Sequence, residues 1–333
     1  MGSPLYAAVL QDAADDAAAA GKTQDLVADD PAPGPRGDAL GLRLMAAVHR
    51  LALEGQAPAL AALLPSTRAT DPDTPVDAAA VWRATRELLD DRLDLLRPLV
   101  ALPCQTNEVG RAAALAFGFF EAAARGLPLR LLEVGASAGL NLRCDHFRFG
   151  GGGAFSGPRD SPVNLEGLWR DAPPHLRPRL VVGERHGCDR RPVDATAEEG
   201  RLSLLASVWA DQTARFARLR GAIALARLVP VTLDQADVAD WLPPRLGEAR
   251  PGLATVVYHS IFDEYLPDAT RRAFYETLRE AGGRAREDAP LFWVRLEPVR
   301  GTLGYAVTLT RWPGGDERVV ARSGAHGTDV SLP

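Results

Sequence analysis

Lysine is almost missing from this chain of 333 residues: Lys22 is the only one, and the remaining 37 of the 38 basic residues are arginine. The arginines are scattered rather than gathered into a patch, so with abundant Ala, Gly and Pro they read as a coding bias, not as a polyanion-binding surface. A net charge of −5 over this length points the same way, and no nucleic-acid partner is expected. Cysteine is scarce. Cys104, Cys144 and Cys188 lie far apart, with no Cys-x-x-Cys pair, which excludes a disulfide framework and a zinc cluster as the organising principle. Long apolar runs are also lacking: the greasiest stretch, Ala112 to Ala124, is broken by Glu121 and falls short of the roughly 20 residues that span a bilayer. Acidic Asp12, Asp15 and Asp16 follow the N-terminus where a signal peptide would be basic and then apolar. The expectation is a cytoplasmic protein with no membrane partner and a small-molecule ligand; its oligomeric state cannot be read.

What is present divides in two. Residues 1–126 read as a helical domain with Pro/Gly-rich joints: a helix from Pro4, the breaker cluster Asp29 to Pro35, and a helix over Ala39 to Glu54 with apolar residues at helical spacing. Then come a loop over Ser66 to Val76, a helix capped by Asp77 and interrupted at Pro98, and a helix from Val109 to Arg125. From Leu129 short β-rich runs alternate with helical stretches. Strands are expected at Leu129 to Val134, Leu180 to Cys188, Val229 to Leu233, Ala254 to His259 and Leu291 to Leu296. The helical pattern from Thr196 to Leu228 is either one helix or two joined at Gly221, and a helix over Ala269 to Ala281 should stop at Gly282-Gly283. Two last β runs flank Pro313-Gly314-Gly315-Asp316 as an antiparallel hairpin. Residues 127–333 are therefore expected to form an α/β domain with a mostly parallel sheet, right-handed crossovers and an antiparallel C-terminal edge.

The chemistry is expected where the first strand enters its turn, at Glu133-x-Gly135-Ala136-Ser137-x-Gly139-Leu140. Glycines there permit a tight turn and a close ligand approach, and a following helix would offer free N–H groups. The spacing is not the Gly-x-Gly-x-x-Gly of dinucleotide binders. It resembles the acid-x-Gly-x-Gly-x-Gly element of class I S-adenosylmethionine-dependent methyltransferases, with Ser137 in place of the middle glycine. That resemblance implies a Rossmann-like sheet, S-adenosylmethionine as cofactor, a methionine moiety wrapped by Gly135 to Gly139, and Glu133 orienting its amino group. It also implies a ribose-binding acid after the second strand, for which Asp189 is chosen with Glu184 in reserve; a turn or cap role for Asp189 stands equally. Fifty residues separate Gly139 from Asp189 where about twenty are usual, so residues 145–179 are read as an insertion, a lid or a substrate-side loop. Asp237 matches the position beside adenine, or else caps the next helix.

His259, at the carboxyl end of the fourth strand, is the general-base candidate, because histidine titrates near neutrality. A hydrogen-bonded structural histidine is the competing reading. Asp145 and His146 are weaker candidates for the same cleft. Gln105-Thr106-Asn107-Glu108 with Arg111 either caps its helix or reaches over the pocket, and Trp209 and Trp241 read as core. Taken with Gly187-Cys-Asp-x-x-Pro-x-Asp194 and Trp312-Pro-Gly-Gly, these strings resemble the uncharacterised domain of unknown function 2332 family over nearly the whole chain, which carries no activity to transfer. A methyltransferase on an unknown acceptor is the leading expectation. A non-catalytic ligand-binding or regulatory protein on the same scaffold comes second, and a nicotinamide-dependent oxidoreductase third.

Overall fold

The computed structural model describes residues 2–28, 39–68 and 74–333. The breaker cluster at Asp29 to Pro35 and part of the Ser66 to Val76 loop lie outside them, Asp29 to Pro35 entirely. Two compact units emerge: residues 1–106 with 197–220, and residues 107–196 with 221–333. The division thus falls at 106/107 and again at 196/197 and 220/221, where the sequence placed one boundary after residue 126.

The first unit is helical: α1 Pro4–Ala18, α2 Lys22–Val27, α3 Leu40–Leu53, α4 Pro58–Leu63, α5 Ala78–Asp91 and α6 Leu93–Val100. Ser3 caps α1 and Asp77 caps α5 through their side-chain oxygens. The α5–α6 break comes at Arg92, and Pro98 sits within α6. A core of Leu44, Met45, Val48, Leu51, Leu60, Val81, Leu89 and Leu96 fixes the bundle. It follows from the 3.6-residue apolar period of α3 and α5.

The second unit begins with α7, Arg111–Ala123, then β1, Leu129–Val134. A 3-10 turn, Leu140–His146, stands where a longer helix was expected. The inserted residues fold as a small sheet of β2 Arg148–Gly151, β3 Ala154–Ser156 and β4 Asn164–Trp169. It packs by Phe149 and Trp169 on Phe117 and Phe120 of α7. The Trp169 indole N–H donates to Ala113 O at 2.8 Å. This insertion is therefore a wall against α7 and not a loose lid. After β5 Val182–Asp189 the chain returns to the helical unit for α8 Glu198–Ala206 and the first half of α9 Thr213–Leu228, and the second unit resumes with β6 Thr232–Gln235, α10 Val238–Leu246, β7 Ala254–Ser260, α11 Asp268–Arg284, β8 Leu291–Pro298, β9 Tyr305–Trp312 and β10 Asp316–Ser323. Helices α8 and α9 are separated at residues 207–212, and α9 runs unbroken through Gly221. Helix α11 likewise continues past Gly282, whose bare face lies against the Trp312 indole.

Among the described residues the main sheet has seven strands, in the order β10-β9-β8-β7-β1-β5-β6. Strands β1, β5, β6, β7 and β8 are parallel, while β8–β9 and β9–β10 pair antiparallel. In chain order the parallel strands lie third-second-first-fourth-fifth, so the winding reverses between β1 and β7. Beyond the carboxyl ends of strands at such a reversal, open α/β sheets leave a crevice for ligands. Helices α10 and α11 cover one face around Leu132, Val134, Val257, Phe274 and Trp293. Helix α7, rich in small residues, covers the other. A Cβ on Gly118 would press on Val294 of β8 at 2.5 Å, so glycine here sets how closely helix and sheet approach. No helix among the described residues is long and apolar enough to cross a membrane.

Candidate ligand site at the β1–β7 edge

Strand β1 is buried throughout because it is central, and it carries Glu133 into the interior with 4% exposure. Parallel register sets Glu133 beside Tyr258 of β7, itself fully buried against Phe119. Glu133 Oε2 and the Tyr258 hydroxyl are close neighbours, yet neither completes a well-aligned hydrogen bond. Burial pushes the Glu133 carboxyl up to about 8, against the opposing pull of Tyr258 and the Arg143 guanidinium. Arg143 is itself buried and donates to Gly139 O and Val229 O at 2.9 and 2.7 Å.

The turn after β1 needs left-handed backbone at Gly135, Ser137 and Gly139, with φ of 67°, 52° and 62°. Glycine adopts this freely; at Ser137 it is uncommon and must be held by neighbours. The holding bonds are plain. Ser137 N–H donates to Asp189 Oδ2 at 2.8 Å, and Ser137 O accepts from Val193 N–H at 3.1 Å. Ala136 N–H donates to Cys188 O, Gly139 N–H to Ala136 O, and Leu140 N–H to Asn107 Oδ1 at 2.9 Å. Four of the amides that sequence reasoning offered to a ligand, at Ala136, Ser137, Gly139 and Leu140, are thus used by the chain itself. Among buried side-chain atoms around the turn, Ser137 Oγ and Asn141 Oδ1 stay unpartnered, alongside Glu133 Oε2. Asn141 is oriented by donating its Nδ2 to Glu108 O at 3.3 Å.

Asp189 stands at the carboxyl end of β5, as the ribose position requires, and its oxygens accept from Ser137 N–H and Arg191 N–H. Each oxygen keeps a further lone pair. The reserve, Glu184, is corrected by geometry: it pairs with Arg130 and Arg250 five residues back along β5, toward the opposite end of the sheet. Asp237 caps α10 by accepting from Ala239 N–H at 3.0 Å. Asp145 makes a bidentate pair with Arg185, both bonds 3.0 Å, and His146 leans on Asp145; Arg185 aligns with Leu131, well below the edge. The Asn107–Arg111 segment does reach the edge. Besides Asn107 holding the turn, the Arg111 guanidinium donates to Ala325 O and Ser260 O at 3.1 and 3.3 Å. Trp241 is core, with its N–H on Asp234 and Arg245 stacked above it. Trp209 is only partly buried, at the margin of the helical core.

His259 is buried with both ring nitrogens occupied. Trp293 Nε1 can only donate, and it lies 3.1 Å from His259 Nε2, so Nε2 is the acceptor. Nδ1 then carries the hydrogen and donates to Glu297 Oε1 at 2.8 Å. The same oxygen accepts from the amides of Phe262 and Asp263 at 2.9 and 3.4 Å. Burial pushes the Glu297 carboxyl up, but the His259 bond and these two amides outweigh it and hold it below the ordinary value. In this arrangement the imidazole has no lone pair to offer an acceptor. His259, Asp263 and Glu297 present ligand atoms within 4.8 Å of one another, a spacing a metal ion can bridge. With Nε2 accepting from Trp293 and Nδ1 carrying hydrogen, however, the ring is not arranged as a ligand.

Sequence reasoning named Glu133, Gly135, Ala136, Ser137, Gly139, Leu140 and Asp189, and the fold brings all of them to one edge. It missed Tyr258, Asn141 and Glu297. Tyr258 was recoverable only once the β1–β7 register was known, and Glu297 lies 38 residues from His259.

Residues 1–331 match the model of a family described as an uncharacterized protein conserved in bacteria, domain of unknown function 2332. The chain belongs to this family. No curated protein and no solved structure matches it.

Proposed function

We propose that the β1–β7 edge binds S-adenosylmethionine and that the chain is a methyltransferase acting on a still unknown acceptor. One observation carries this reading. Four of the turn's amides, those of Ala136, Ser137, Gly139 and Leu140, are used internally, while the buried side-chain atoms left unpaired beside it are oxygens that can accept. A pyrophosphate needs free N–H donors at such a turn, so a nicotinamide dinucleotide is disfavoured. An ammonium and a sulfonium are cations, and acceptors suit them. Glu133 would hold the amino group, Asp189 the ribose hydroxyls through its remaining lone pairs, and the turn from Gly135 to Leu140 the methionine chain; Asp237 lies after β6, where the family likeness puts adenine. The sulfonium supplies an already activated methyl group. What falls to this chain is to hold the acceptor in line and exclude water.

His259 is not assigned as the base, because its lone pair is taken by Trp293. That same saturation favours the second reading, a ligand-binding protein without catalysis. Equilibrium dialysis with labelled S-adenosylmethionine decides between them. The expected result is saturable binding displaced by S-adenosylhomocysteine and not by NAD. Binding with no label transferred to any acceptor tested would favour the second reading, and no saturable binding at millimolar ligand would end the first.

A further inference from the structure

The space beside the α-carbon of Gly135 is not empty. A Cβ placed there would overlap the Phe262 ring, so the approach that this glycine opens is taken by a side chain of the same protein. Phe262 is delivered by Ile261, whose φ is +51°. A β-branched residue in left-handed backbone is strained by roughly 1–3 kcal/mol and persists only where surroundings hold it. Here they do. Ile261 N–H donates to Leu296 O at 2.8 Å, and the amides of Phe262 and Asp263 converge on Glu297 Oε1, which His259 also holds. Tyr275 of α11 donates to Asp263 Oδ2 at 2.6 Å. The ring rests on His259 and Phe274, with centroids at 5.5 and 6.3 Å, and beyond it the chain makes a short 3-10 turn, Asp263–Tyr265, with Tyr265 exposed.

We propose that Phe262 is a gate on the glycine turn: its ring competes with the ligand for the space over Gly135, segment 261–266 swings out to admit the ligand, and Glu297 is the catch that keeps it closed. Outward movement relieves the backbone strain at Ile261 at the expense of the two amide bonds to Glu297 Oε1, the Tyr275–Asp263 bond and the ring's packing on His259 and Phe274. The identity of the entering ligand rests on the adenosyl reading; the gate itself does not. A shut gate lowers apparent affinity by the fraction of molecules that are open.

The test uses the full-length protein as wild type, F262A, F262L and E297Q. Amide hydrogen exchange is measured without ligand, and S-adenosylhomocysteine is then titrated calorimetrically. The gate predicts exchange at residues 135–139 about tenfold faster in F262A, exchange at 261–266 faster in E297Q, and adenosylhomocysteine bound about tenfold more tightly by F262A, with F262L between. Unchanged exchange at 135–139 in both Phe262 variants overturns the gate, as does F262A affinity equal to or weaker than wild type. Faster exchange at 135–139 with no adenosylhomocysteine bound by any variant retains the gate and removes the adenosyl reading.

Discussion

Two polar clusters stand at the same edge of the sheet, and they differ in how completely they are satisfied. Around β8 and the end of β7, His259, Glu297, Trp293, Tyr275 and the amides of Phe262 and Asp263 close almost every hydrogen bond; Asp263 Oδ1 alone is left over. Around β1, the carboxyl of Glu133, the hydroxyls of Ser137 and Tyr258 and the carbonyl of Asn141 are buried and incomplete. Buried polar groups in folded proteins are normally paired, and an unpaired one needs an explanation. The first cluster holds backbone in place. The second is where the proposed ligand would place its donors. A histidine therefore marks structure here, and the proposed site rests on a carboxylic acid.

The largest expected effect breaks the satisfied cluster. Glu297→Ala strands the His259 N–H and two amides, and thermal unfolding should show about 3 kcal/mol of lost stability. A loss below 1 kcal/mol would mean that the cluster does not hold the edge. Next comes the incomplete cluster, tested by Glu133→Gln. It keeps the shape but cannot ionise to face a cation, and should weaken S-adenosylmethionine binding about tenfold or more in dialysis, the range of one charged hydrogen bond. The same substitution sharpens the contrast through pH. With the folded carboxyl pushed up to about 8 by burial, the native protein holds a proton that the unfolded chain has lost above the ordinary value of 4.5. Stability contributed by the neutral form is thus present at acid pH and falls as pH rises toward about 8. Denaturation midpoints of wild type should decline over this window relative to Glu133→Gln; parallel curves would show that Glu133 is not buried as described. The smallest effect separates the two acids of β5. Asp189→Ala should weaken adenosyl binding several-fold, about 1 kcal/mol, while Glu184→Ala should leave affinity unchanged. Equal losses would contradict the placement of Glu184 at the far end.

The outline of the fold was legible because periodicity is local. Strand β1, the terminal hairpin and the capped α5 all follow from contiguous residues. Three features were not. Helix α7 reads as one more N-terminal helix, and only packing on β7 to β10 assigns it to the sheet unit. The Gly-rich residues 148–169 look structureless because β2 and β3 are very short and β2 pairs with β4 through a register shift. Gly282 reads as a helix stop and Gly221 as an optional joint, yet each sits within a helix where a neighbour approaches closely, Trp312 in one case and Pro162 in the other. At the site, the glycine turn and Asp189 were visible as motif and strand end. The internal use of the turn's amides was not, because Asn107 and Asp189 reach it from distant positions in the chain.

Calorimetric titration of wild type and Glu133→Gln with S-adenosylmethionine at pH 7, repeated in two buffers of different ionisation enthalpy, tests the central claim most directly. A cation entering beside Glu133 should expel its proton, so wild type should release close to one proton per ligand bound and Glu133→Gln none. Binding with no proton released by either protein, or equal release by both, would contradict a cation-accepting site built on Glu133.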